Sequence, residues 1–256
     1  MKQEVLKAKI KERYGKIALE GNSESCCGPE CCSSTEADPQ MSSVVVGYDD
    51  KALVSIPKSS ILGLGCGAPI NFANLKIGEI VVDLGSGAGI DAFLASREVK
   101  DSGKVIGIDF TDEMLHKATS AAKENGFTNV EFRKGDIEDS IPVDDNSVDV
   151  AISNCVINLA TDKVKTFKEI YRILKKDGKG RMIISDLVTS KEVRGDSVNP
   201  EDWCSCIDGA LTKKNYINSI KEAGFSDVKS LNEQIYINKD KTNRIITSVV
   251  IGATAK

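Results

Sequence analysis

Apolar positions along this chain follow two periods, and the alternation between them lays out most of its elements. Near the start, Val5, Leu6, Ile10, Tyr14, Ile17 and Ala18 recur at helical spacing, which predicts an amphipathic helix over residues 2–19. Residues 21–43, GNSESCCGPECCSSTEADPQMSS, lose that pattern and read as a flexible, Cys-rich linker. From residue 80, short apolar, β-branched runs at 80–84, 104–110, 130–133, 148–156 and 181–187 alternate with helical stretches at 90–99, 112–125 and 163–175. Thr111 is placed to cap the second of these helices, and the third starts from Asp162. Strand–helix alternation of this kind predicts a parallel sheet covered on both faces. Residues 191–209 read as irregular, and a helix follows over 212–223 up to Gly224. Runs at 228–237 and 245–254, separated by polar NKDKTN, read as a hairpin that puts an antiparallel strand at the sheet's edge. The organisation expected is a helix over 1–20, a linker over 21–43, a ligand-binding domain over 44–190, and a segment over 191–256 that closes the same fold.

Composition narrows the classes of function. The chain has 256 residues, 41% hydrophobic and 28% charged, enough for one full domain with a large core. Its net charge of -4 argues against nucleic acid as a partner, because phosphate binding wants a basic face. No apolar run reaches the roughly 18–20 residues that span a bilayer, and the first residues lack the apolar stretch of a secretory signal. The expectation is a cytoplasmic protein, monomeric on the strength of its acidic surface. In a reducing compartment its eight cysteines read as free thiols rather than as a disulfide scaffold.

The first strand runs into a glycine-rich loop, VVDLGSGAGID over residues 81–91. Glycines let the backbone turn tightly and let a ligand approach the helix that follows. About 20 residues on, the second strand ends in Asp109, placed to accept hydrogen bonds from ribose hydroxyls. The third leads to GDIED, which puts Asp136 and Ile137 where an adenine ring would lie. The spacing is GxGxG, not the GxGxxG of dinucleotide enzymes. Residues 78–187 resemble the class I S-adenosylmethionine-dependent methyltransferases. That resemblance implies an α/β, doubly wound, mostly parallel seven-stranded sheet with an antiparallel last strand. It also implies that Asp83, Gly85, Gly87, Asp109, Asp136 and Ile137 hold S-adenosylmethionine.

Three cysteines lie in separate short motifs: Cys66 in LGLGCGAP, Cys155 in SNCVINL and Cys206 in CIDGAL. Cys155 follows a strand at the sheet edge where ligands bind. Cysteine is also an ordinary core residue, a reading that suits Cys155 better than the other two. Zinc is unattractive, since its ligands usually come in close pairs and only Cys204 and Cys206 are near each other. His116, the lone histidine, reads as an ordinary helix residue. Thiolates prefer soft centres, and trivalent arsenic bonds three sulfurs while keeping a lone pair.

Residues 44–225 resemble the arsenite methyltransferases, through GYDDKALVSIPKSSILGLGCGAP, LKIGEIVVDLGSGAGIDAFLA, VIGIDFTDEMLHKA, SNCVINL and CIDGALTKKNYINSIKEAGF. By that resemblance Cys66, Cys155 and Cys206 are the arsenic-binding and catalytic thiols, with Cys204 able to substitute. Arsenite is then the substrate, and glutathione or thioredoxin the thiol reductant. Cys26, Cys27, Cys31 and Cys32 in CCGPECC read either as an arsenic capture site or as an idle tail. Two alternatives stay open: a methyltransferase for another small thiol, selenium, tellurium or carbon acceptor, and an arsenic-sequestering binder.

Overall fold

The structure is a computed structural model, and it describes residues 3–20, 38–193 and 198–256. Seven strands form one sheet: β1 (Ile80–Leu84), β2 (Lys104–Asp109), β3 (Val130–Lys134), β4 (Val150–Asn154), β5 (Arg181–Thr189), β6 (Ser226–Ile237) and β7 (Ile246–Thr254). Their order is β3-β2-β1-β4-β5-β7-β6. The first five pair in parallel, and β7 runs antiparallel to both β5 and β6. This is the doubly wound sheet that the alternating pattern predicts. One detail differs: antiparallel β7 lies one strand in from the edge, and β6 takes the edge.

Burial on both faces explains the near-continuous apolar strands. In β1, Val81 packs with Ala92, Ala95 and Val99 of α4 (Ile90–Val99) on one side. Its neighbour Val82 packs on the other side with Phe167, Ile170 and Ile173 of α6 (Lys163–Ile173), and Tyr216 of α8 (Lys213–Glu222) joins the same layer. Asp162 caps α6, accepting from Lys165 N. Thr111 stands at the N-cap of α5 (Asp112–Glu124), but its side chain makes no cap hydrogen bond. His116 is exposed on α5.

The amino-terminal helix α1 (Gln3–Glu20) is present as predicted and lies over α5 and α7 (Pro200–Cys204). The linker expected over 21–43 needs a correction at its far end, where Pro39–Val45 form helix α2. Asp38 accepts from Gln40 N, and Pro39 sits in the first turn, where its missing N–H costs nothing. A further short helix, α3 (Asp50–Val54), is capped by Asp49. The cysteines at 26, 27, 31 and 32 lie outside the described residues. The irregular stretch expected over 191–209 also holds α7, with Asn199 as its cap. Strand order reverses between β1 and β4, and at such a switch point the strand ends open a crevice for ligands.

Candidate active site

The glycine loop leaves β1 at that crevice. Gly85 has φ +66, and a Cβ there would lie 2.4 Å from a methyl of Val156. Neither the left-handed backbone nor the space admits a side chain. Gly87 N donates to Asp109 Oδ2 at 2.9 Å, and Thr111 N to Asp109 Oδ1 at 2.8 Å. The carboxylate at the end of β2 is thereby fixed on the pocket wall with acceptor capacity to spare. Burial raises its pKa.

Two more carboxylates face the same pocket. Asp83 is 2% exposed, and among the described residues its Oδ2 has no hydrogen-bond partner; the same holds for Asp91 Oδ1. Burial, with Asp91 and Asp109 nearby, pushes Asp83 well above the usual carboxylate range. Burial lifts Asp91 to about 6 against the hydrogen bonds from Tyr48 and Asn154. Buried carboxylates left with unpaired oxygens make a site that gains from a cationic ligand. Ile137 adds an apolar wall. This lining suits S-adenosylmethionine: buried carboxylates to answer a positive charge, spare acceptor positions on Asp109 and an apolar wall.

Asp136 lies just past β3 and lines the pocket beside Ile137. Its Oδ2 takes a 2.6 Å hydrogen bond from Lys7 Nζ of α1, and Lys7 also stands 3.4 Å from Glu138. With Ile10 and Tyr14, Lys7 makes α1 a wall of the pocket. The helical period locates α1, but nothing in it shows where the helix docks.

The three motif cysteines meet at the other end of the crevice. Cys66 and Cys206 are buried, and Cys155 is partly so. The neighbouring thiols of Cys206 and Cys66, together with burial, hold the Cys155 pKa well above the ordinary thiol value. Cys206 Sγ donates to Cys155 O at 2.9 Å. The Cys155 bond favours the Cys206 thiolate, but burial and Asp186 oppose it, and the Cys206 pKa ends up raised. Both residues sit in left-handed backbone, Cys155 at φ +58 and Cys206 at φ +64. Non-glycine residues hold such angles at a cost, and they gather at functional sites. Cys204 does not join this group. It packs under α1 against Leu6 and Ile10.

Sequence reasoning missed the residues that tie the two halves together. Asn154, at the end of β4, accepts from Cys66 N at 3.1 Å through Oδ1. Its Nδ2 donates to Gly67 O at 2.6 Å and to Tyr48 Oη at 2.7 Å. Tyr48 donates in turn to Asp91 Oδ2 at 2.7 Å. One amide therefore links the Cys66 loop to the carboxylates of the pocket. Asp186 was also missed. It is fully buried on β5, with a carboxylate oxygen and the Cys66 and Cys155 sulfurs all within 4.8 Å of one another. Polar residues inside apolar runs (SDL, ISN) were the available signal.

Comparisons with known proteins agree with this geometry. A family model described as a methyltransferase domain matches residues 75–224. An arsenite methyltransferase of Halobacterium salinarum is 43% identical over 231 residues, 86% of this chain and 57% of that protein. One from Aquipseudomonas alcaligenes is 34% identical over 239 residues, 88% and 63% of the two. The chain thus spans less than two thirds of either relative's length. Among solved structures, an arsenic(III) S-adenosylmethionine methyltransferase from Chlamydomonas reinhardtii matches with a TM-score of 0.65 at 29% identity, covering 85% of this chain and 73% of that one.

Proposed function

The chain belongs to the methyltransferase domain family, and from that premise we propose that it methylates arsenite, As(III), held by Cys66, Cys155 and Cys206. The observation that carries the reading is the thiol cluster itself. Three cysteines from distant segments share one buried corner, and Cys155, which lines the pocket, has its sulfur within 4.8 Å of that of Cys66 and its carbonyl 2.9 Å from the Cys206 thiol. The arsenite methyltransferases among its relatives support the same substrate.

The raised pKa values of Cys155 and Cys206 favour their protonated thiols until a soft centre arrives. Arsenite then exchanges its three hydroxyls for three sulfurs, and each S–H proton leaves with one hydroxide as water. When bound, S-adenosylmethionine supplies an electrophilic methyl on a sulfonium sulfur and departs as S-adenosylhomocysteine. The arsenic lone pair carries no proton, so no general base is required. What the protein contributes is placement: Asp83, Gly85, Gly87, Asp109, Asp136 and Ile137 hold the cofactor, and the thiols set the arsenic against it. Methylation removes two electrons from arsenic. A thiol reductant, glutathione or thioredoxin, returns them and is oxidised to a disulfide. The cytoplasm, where thiols stay reduced, is the compartment this chemistry suits.

The test is incubation of purified protein with S-adenosylmethionine, arsenite and a thiol, followed by arsenic speciation. Methylarsenic products are expected. Cys155→Ser and Cys206→Ser should each abolish them while calorimetry shows cofactor binding unchanged. Full activity in both variants would remove the thiol assignment.

A further inference from the structure

Arsenic bonded to three sulfurs completes its coordination with a lone pair and has no use for a carboxylate. Asp186 nevertheless stands against the thiols, fully buried on β5. Its Oδ2 accepts from Asn158 N at 3.1 Å and from Tyr216 Oη at 3.0 Å. Among the described residues its Oδ1 accepts only from Leu187 N, at 2.9 Å, which leaves one acceptor position on that oxygen. Two sulfurs and an oxygen, mutually within 4.8 Å, are close to the edges of a tetrahedral zinc-type site, where donors stand ~3.5–4 Å apart. Cys206 Sγ turns to Cys155 O at 2.9 Å and stands outside this group of three ligand atoms.

We propose that Cys66, Cys155 and Asp186 form a three-donor site, its fourth position left to water, for a divalent d10 cation of the Zn2+ or Cd2+ type, which occupies the thiols in place of arsenite. The close spacing that zinc ligands usually show is absent from the sequence, because these donors come from three distant segments and only the fold collects them. Charge also favours the site. Two thiolates, one carboxylate and a divalent cation sum to -1. The buried ammonium of Lys163, held by Ala160 O at 3.0 Å and Asn158 O at 3.5 Å, supplies the balancing charge. Asn158 thus anchors both, donating its N–H to Asp186 and offering its carbonyl to Lys163. Soft sulfur with one hard oxygen suits a borderline cation better than it suits arsenic.

Only the competition with arsenite rests on the proposed function; the binding stands on the donors alone. The probe is Cd2+, added without arsenite to the full chain carrying Ser at 26, 27, 31 and 32, so that the second cysteine cluster does not contribute. One equivalent should bind, with thiolate-to-cadmium charge-transfer absorbance. Asp186→Asn should weaken binding at least about tenfold, the loss expected when one ligand of a metal site is replaced. Should that variant fail to fold, isotope-edited infrared of the parent chain labelled with 13C-aspartate decides: one aspartate carboxylate band moves on adding Cd2+. Absent binding, unchanged affinity in a folded Asp186→Asn, or no moving carboxylate band overturns the proposal. In the methylation assay, Cd2+ should raise the apparent KM for arsenite without lowering kcat, and a kcat effect alone overturns the competition. A chain that binds Cd2+ in this way but never methylates arsenite would refute the arsenite reading and leave the cation site standing.

Discussion

At the scale of single residues, the crevice combines strained backbone with uncompensated charge. Gly85→Ala forces a Cβ into Val156 at a positive φ, a backbone cost of about 1–3 kcal/mol before any collision. We expect a lower melting temperature and loss of cofactor binding, both measurable on one preparation. Asp91 makes a second, pH-dependent prediction. Its carboxyl is lifted by burial from the ordinary 3.8 to about 6, so the ligand-free folded protein holds a proton there that the unfolded chain has released. Stability should therefore fall as pH rises through that window, because the folded state binds more protons within it. A cationic cofactor favours the ionised form, so its affinity should climb through the same window and level off above it. Calorimetry at about pH 5 and about pH 7 checks this, and Asp91→Asn should flatten the profile. Asn154→Ala removes the link between Cys66 N and the Tyr48–Asp91 pair. The expected signature is a raised KM for arsenite with folding intact.

At the scale of elements, α1 is the piece whose role the tertiary contacts reveal. Its polar face carries Lys7 to Asp136 and Glu138, and its apolar face covers Cys204 through Leu6 and Ile10. Glu138 is already held by Thr161 N and Asp162 N, so Lys7 ties the helix to the loop after β4 as well. Deleting residues 1–20 should open the pocket and speed cofactor dissociation by roughly tenfold, as for loss of a covering element. Stopped-flow release of a bound cofactor analogue measures it, and an unchanged rate would show that α1 is only packing. The short helices α2 and α3 escaped the sequence reading because seven and five residues carry too little apolar period to register. Their caps, Asp38 and Asp49, define them instead.

At the scale of the whole molecule, the thiol corner depends on a contact between remote segments. Arg244, in the turn before β7, pairs with Asp208 at 2.8 Å and Asp240 at 2.7 Å, all three nearly fully buried. Asp208 lies two residues beyond Cys206 and also accepts from Asn199 N at 2.8 Å, so the ion pair fastens the Cys206 segment to the β6–β7 hairpin. Replacing Arg244 with Met leaves two buried carboxylates unpaired. We expect a loss on the order of 3–5 kcal/mol in urea unfolding, with arsenite binding reduced in whatever remains folded. The alternating periods, the loop glycines and the acidic strand end at Asp109 were legible in the chain, and the sheet follows them closely. Those features are local, because period and turn chemistry act between neighbours in sequence. Cys66, Cys155 and Cys206 were legible as motifs, but their meeting was not, nor was the addition of Asp186 or the exclusion of Cys204. Distances between residues tens of positions apart arise from how strands order themselves and how loops pack across their ends. One-dimensional spacing therefore named most of the chemistry, and only the folded sheet decided which of those groups touch.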